Sequence, residues 1–113
     1  AQRVRRRVYD EALELFRSND VLLAPATPFP APALGQPSIE LNGQTMPMRP
    51  NIGVLTQPLS CIGLPVISAP IAQDGLPIGV QIIAAPWRED LALQCAAKLE
   101  AAGVAVAKVV DPC

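Results

Sequence analysis

The chain alternates between two hydrophobic rhythms. Over residues 2–18, Val4, Val8, Ala12, Leu15 and Phe16 recur at spacings of three and four, which predicts an amphipathic helix with one apolar stripe. Asn19 suits its end, because asparagine tolerates the left-handed position after a helix. Val21–Thr27 (VLLAPAT) is a short apolar run of buried-strand type, with Pro25 placing it at a strand end. Residues 28–50 hold Pro28, Pro30, Pro32, Pro37, Pro47 and Pro50 and read as extended loop, too rich in proline for regular structure. Within that stretch Asn42-Gly43, flanked by Ile39, Leu41 and Met46, marks a tight hairpin turn.

Residues 51–62 are ambiguous: Asn51 could cap a short helix that Pro58 limits or kinks. Two near-repeats follow, GLPVISAPI at 63–71 and GLPIGVQII at 75–83. Each enters a β-branched run, and Asp74-Gly75 between them is a turn signal, so two adjacent buried strands are predicted. Whether they pair directly or flank a third strand stays open. A second helix is expected over about 87–102, with Trp87, Leu91, Cys95, Leu99 and Ala102 on one face, Glu89 and Asp90 in its first turn and Gly103 at its end. Val104–Val110 forms a last strand or a covering segment. Helices interleave with strands, which makes the class α/β.

Charge changes this picture in one place. Arg3, Arg5, Arg6 and Arg7 open the first helix and Asp10, Glu11 and Glu14 follow, an order opposed to the helix dipole, and no capping residue precedes Val4. The expectation is that the helix continues upstream in a longer polypeptide, truncated here at its N-terminus. The same arginines, interleaved with acids and without aromatics, read as solvated ion pairs and not as a nucleic-acid surface. With 9 basic and 10 acidic side chains the formal charge is −1, which gives no electrostatic reason to bind nucleic acid or an anionic membrane. No apolar run approaches the ~18 residues of a membrane span. Neither a signal peptide nor a membrane partner is expected. Cys61, Cys95 and Cys113 are odd in number and lack a CxxC pair, which reads as reduced thiols in a cytoplasmic protein.

The chemistry inventory is short. The chain has no histidine, which excludes a histidine-based triad and a histidine-ligated metal site among its own residues. No serine lies in a GxSxG elbow or a Ser-x-x-Lys frame, and Ser68 sits inside a strand pattern. The glycines form neither GxGxxG nor a phosphate loop. No catalytic residue, metal site or cofactor is expected from the residues themselves.

A more specific signal lies in the order of several motifs. DVLLAPATPFPAPALG (20–35) is followed by T-x-P-x-x-x-x-G-L-P-x-x-S-x-P (56–70), D-G-L-P-I-G-V-Q-I-I (74–83) and W-R-E-D-L-A-L-Q-C-A-A-K-L-E (87–100). This set resembles the C-terminal part of the amidase signature hydrolases, from about residue 3 to 102. The resemblance implies a mixed β-sheet with flanking helices, and residues 1–113 as the C-terminal portion of an amidase domain. It implies a serine amidohydrolase that cleaves amide C–N bonds of a small substrate without metal or cofactor. The family's lysine and two catalytic serines lie upstream of the matched region, so this chain alone is expected to be inactive. In glutamine-using members an aspartate three residues before the matched Thr56 binds the substrate's ammonium. Here that position is Gly53, which cannot, and this argues against a glutaminase. Members acting on small urea-derived or carboxylated amides resemble the sequence better, among them the biuret and allophanate hydrolases. The short loop at 71–77 points toward the 1-carboxybiuret branch. Asn51, Ile52 and Gly53 are the implied substrate-binding positions.

The expected partner is the upstream part of the same amidase. Without it, exposed apolar surface is expected to drive self-association, since a few hundred Å2 at about 25 cal/mol per Å2 is worth several kcal/mol. The alternative is a non-catalytic scaffold or interaction domain derived from the same fold. A glycine- and serine-rich segment with a lysine encoded upstream would distinguish the two.

Overall fold

The computed structural model describes residues 1–107. Three layers build it. The middle layer is a three-stranded antiparallel sheet of β1 (Val21–Pro25), β5 (Ile78–Ala84) and β4 (Val66–Ile71), in that order, with β5 central. Leu23 and Ile67 flank Ile82 in register, and Ala24 and Ser68 flank Gln81. The two near-repeats therefore pair directly with each other, and every strand pairing among the described residues is antiparallel.

The period-2 alternation of β5 sends its side chains into two cores. On one face Ile82 and Ala84 pack with Ala69, Ala92 and Ala105, backed by Val21, Ile67, Val80, Cys95, Ala96 and Leu99. Helix α4 (Glu89–Ala101) supplies that cover. On the other face Ile83 packs with Ile62 and Leu64, joined by Tyr9, Ala12, Phe16, Leu22, Ala24 and Leu59. That cover comes from α1 (Gln2–Leu15) and α3 (Gln57–Ile62). A strand buried on both faces reads as a continuous apolar run, which is why IGVQII shows no hydrophilic alternation.

Several expectations need correction. Helix α1 ends at Leu15 and not at 18, and Asn19 is not left-handed; its side-chain Nδ2 donates to the Leu15 carbonyl at 2.8 Å and closes the helix that way. Of the predicted stripe, Ala12 and Phe16 reach the core together with Tyr9, while Val4, Val8 and Leu15 stay exposed. Of the four opening arginines, Arg6 pairs with Asp10 and Arg7 with Glu11, while Glu14 pairs with Arg17, which follows it.

The proline-rich stretch is only partly loop. Its second half folds as a ribbon of β2 (Ser38–Leu41) and β3 (Gln44–Pro47) and one turn of helix, α2 (Met48–Asn51). Asn42 and Gly43 make the two-residue turn, with φ of 51° and 75°, as that dipeptide predicted. Proline is tolerated because a two-stranded ribbon has two free edges and Pro47 closes one strand, where a missing N–H costs little.

Trp87 also departs from expectation. It belongs to the turn before α4, with φ 64°, and is 89% exposed. The buried side of α4 is made by Ala92 with Cys95, Ala96 and Leu99, since small residues let the helix lie close on the sheet. Ala105 forms a bridge with Ile71, and the Ala72 N–H donates to the Val104 carbonyl, so the start of the segment after α4 covers the end of β4. The rest of the predicted segment, 108–110, lies outside the described residues. Among the described residues no helix is long and apolar enough to cross a membrane.

At the start of α4 the Arg88 guanidinium makes two hydrogen bonds to the Asp90 carboxylate, at 2.9 and 3.1 Å. These bonds are the main cause holding the Asp90 carboxyl below the usual aspartate range, against a smaller opposing effect of burial. A group depressed on folding contributes stability above its unfolded pKa and loses it as pH falls through the folded value. An NMR titration of Asp90 is expected to give a midpoint below that of ordinary aspartate, and Arg88→Gln to move it back up. An unshifted midpoint in the parent protein would remove the pair as a contributor.

Candidate functional site

The segment between α2 and α3 is a run of tight turns. The Ile52 N–H donates to Met48 O at 3.0 Å, Val54 N–H to Asn51 O at 3.3 Å, and Thr56 N–H to Gly53 O at 3.1 Å. Gly53 O also accepts the Gln57 N–H at 2.8 Å and the Thr56 hydroxyl at 3.3 Å. Three donors on one carbonyl fix the path of the chain into α3.

Each implied binding position has a defined place in this run. Asn51 ends α2 and does not cap α3; its Nδ2 donates back to Pro47 O at 2.7 Å, which ties the run to the β2–β3 ribbon. The residue before α3 is Thr56, and Pro58 sits in the helix's first turn, where its missing N–H would have had no partner. Ile52 is 46% exposed, and Asn51 and Gly53 are half-buried. Gly53 has no room for a side chain while Gln57 keeps its place: a Cβ would stand 2.8 Å from Gln57 Nε2 and 3.1 Å from its Cγ and Cδ. Gln57 therefore lies over the bare face of Gly53. The three positions are consecutive on one turn. Next to them a cleft of about 430 Å3 is lined by Gly35, Gln36, Pro37, Pro47, Met48, Arg49 and Pro50.

The sequence reading overlooked the residue that joins this run to the sheet. Gln81, on β5, is 2% exposed and is the buried polar side chain of the described core. Its Nε2 donates to Pro25 O at 3.0 Å and to Leu55 O at 3.1 Å. Both partners are carbonyl oxygens, so the carboxamide must present its nitrogen to them. The signal was available: one glutamine among Val80, Ile82 and Ile83 is a polar residue on a buried strand, which needs a partner. Among the described residues no cluster of histidine, cysteine, aspartate or glutamate has the spacing to hold a metal.

Fold and motif order together define a class. The chain belongs to the amidase family, whose family model, described as Amidase, matches residues 1–93. Within that class it is 52% identical over 108 residues to the 1-carboxybiuret hydrolase subunit AtzE of Pseudomonas sp. (strain ADP), covering 93% of this chain and 24% of the relative. It is 40% identical over 103 residues to a fatty acid amide hydrolase of Medicago truncatula, covering 88% of this chain and 17% of that protein. A solved structure described as a vestigial protein complex that reveals the evolutionary origins of an s-triazine catabolic enzyme superposes with a TM-score of 0.88 at 50% identity. That match takes in 96% of this chain and 24% of the solved one. The chain thus spans about a quarter or less of the proteins it resembles.

Proposed function

We propose that residues 1–113 are the C-terminal portion of one amidase domain, in a serine amidohydrolase that cleaves an amide C–N bond of a small, carboxylated, urea-type substrate. The chain supplies part of the sheet and one wall of the pocket, formed by Asn51, Ile52 and Gly53. The lysine and serines of the chemistry come from a preceding part of the same protein, and neither metal nor cofactor takes part. The enzyme works in the cytoplasm. The observation that carries this reading is the fit of 96% of the chain onto a quarter of a solved relative at 50% identity.

Two features support it. Val4, Val8 and Leu15 on α1 and Leu93 on α4 are exposed apolar positions on otherwise well-patterned helices, the kind of surface that an upstream part of the same amidase covers. Gln57 fills the space beside Gly53, so the wall offers a neutral carboxamide there in place of a carboxylate. A neutral wall suits an anionic or neutral amide better than an ammonium.

The test is made on the full chain as it is expressed. Its intact mass is expected to be about four times the 11.9 kDa of these residues. Loss of 1-carboxybiuret, followed by chromatography, is expected to be fast relative to loss of glutamine and unaffected by a chelator. Preference for glutamine would overturn the substrate reading, and failure to cleave any small amide would favour the non-catalytic scaffold.

A further inference from the structure

We propose that Gln81 is a positioning residue for the Asn51–Gly53 wall, its carboxamide fixing how that wall stands against the sheet and thereby how tightly substrate is held. The inference rests on the pocket reading of Asn51–Gly53 given above.

The backbone hydrogen bonds of residues 51–57 are local: donors at 52, 54, 56 and 57 all go to carbonyls of Met48, Asn51 or Gly53. They shape the run but do not attach it to the sheet. Among the described residues, the side-chain hydrogen bond that reaches from the sheet to this run is that of Gln81 to Leu55 O, across 26 positions of sequence. Leu55 precedes α3, so its carbonyl lies outside the helix and takes the Gln81 donor in its place.

One nitrogen serves two carbonyls from two elements. Pro25 O at the end of β1 and Leu55 O before α3 both lie within 3.1 Å of Gln81 Nε2, which makes a three-way joint of β1, β5 and the run that carries the wall. The neighbours in register, Ala24 and Ser68, are small and leave the carboxamide room. A core position between two sheet-covering layers would gain more burial energy from an aliphatic side chain, because a carboxamide there must be desolvated. Its geometric role accounts for its presence: it sets a distance that apolar packing leaves loose. A wall that shifts loses contact with a small substrate in ground state and transition state alike, which weakens binding without slowing the chemical step.

The experiment uses the full chain with two variants, Gln81→Met and Ile52→Ala. Methionine keeps length and removes both donors; alanine at 52 alters the wall itself. Hydrogen exchange at the Val54, Thr56 and Gln57 amides is read together with KM and kcat for 1-carboxybiuret, all well below the melting temperature. In Gln81→Met the three amides are expected to exchange about tenfold faster while the Val80 and Ile82 amides keep their protection. KM is expected to rise about tenfold with kcat within about twofold, the split that marks lost binding and not lost folded protein.

Unchanged exchange at the three amides overturns the inference. Faster exchange with KM unchanged, while Ile52→Ala does raise KM, leaves the pocket reading standing and overturns the positioning role. An Ile52→Ala protein with normal KM overturns the pocket reading and the functional half of the inference with it, and the exchange data still decide whether Gln81 holds the run. Should Gln81→Met fail to fold, Gln81→Asn keeps the carboxamide but withdraws it by one carbon. It is expected to raise KM in a folded protein, and a normal KM there overturns the role.

Discussion

Ile82→Ala is expected to destabilise the fold by about 2–5 kcal/mol, the range for deleting a buried aliphatic side chain where the cavity cannot collapse. Ile82 is 0% exposed, sits on the central strand, and stands between Leu23 and Ile67 in register. Beneath α4 the other buried members of its cluster are Ala69, Ala84, Ala92 and Ala105, whose short side chains cannot fill the space, and Val21, Ile67, Val80, Cys95 and Leu99 around them are held by the sheet and the helix. The measurement is a urea titration, in which the midpoint should fall with little change in slope. A loss below about 1 kcal/mol would show that the core lies elsewhere.

Gly79→Val is expected to cost about 1–3 kcal/mol by overpacking. A Cβ at this position would lie 3.2 Å from Ser68 Oγ, 3.3 Å from Ala26 Cβ and 3.4 Å from the Ala69 carbonyl. The serine hydroxyl can rotate away. The Ala69 carbonyl cannot, because β4 pairs with β5 there, and Ala26 is held by its own N–H donating to Gly79 O at 2.9 Å. The branched methyls of valine would push against both. Thermal melting checks this, and a Gly79→Val protein as stable as its parent would show that the strand end after Pro25 has room to shift.

The elements that were legible in the sequence are those whose signal is local. The strand pair at 63–83 follows from two β-branched runs and one Asp-Gly turn, and α1 and α4 follow from their spacing. The Asn42-Gly43 turn was read correctly, yet the strands it joins were hidden, because proline counting treats every proline as a breaker and ignores that Pro37 and Pro47 bracket the ribbon. Trp87 fits the α4 periodicity and still lies outside the helix. Its left-handed backbone is a property of the turn, and no spacing rule contains it. The second core was half visible: Ala12 and Phe16 were read, but which face of α1 meets α3 is a tertiary matter.

The candidate wall was legible only as a resemblance. Asn51, Ile52 and Gly53 carry no chemistry that composition would single out, and their arrangement depends on backbone turns converging on Gly53 O. The packing of Gln57 against Gly53 is visible only in the fold, where its side chain lies over the glycine. Gln81 was the readable signal that went unread: its carbonyl partners, at Pro25 and Leu55, are far apart in sequence, and only the fold brings them to one nitrogen.

The order of the sheet, with β5 between β1 and β4, has a consequence for how the chain acquires its shape. The β4–β5 hairpin closes over a short connection and costs little loop entropy, whereas Leu23 must wait for Ile82. During synthesis VLLAP therefore lacks its β5 partner until residues 78–84 have emerged. Proline at its end blunts that strand as a template for other chains. The bracketing of β5 by an early and a late partner thus leaves β1 a window without β5, and Pro25 limits what that strand can template during it.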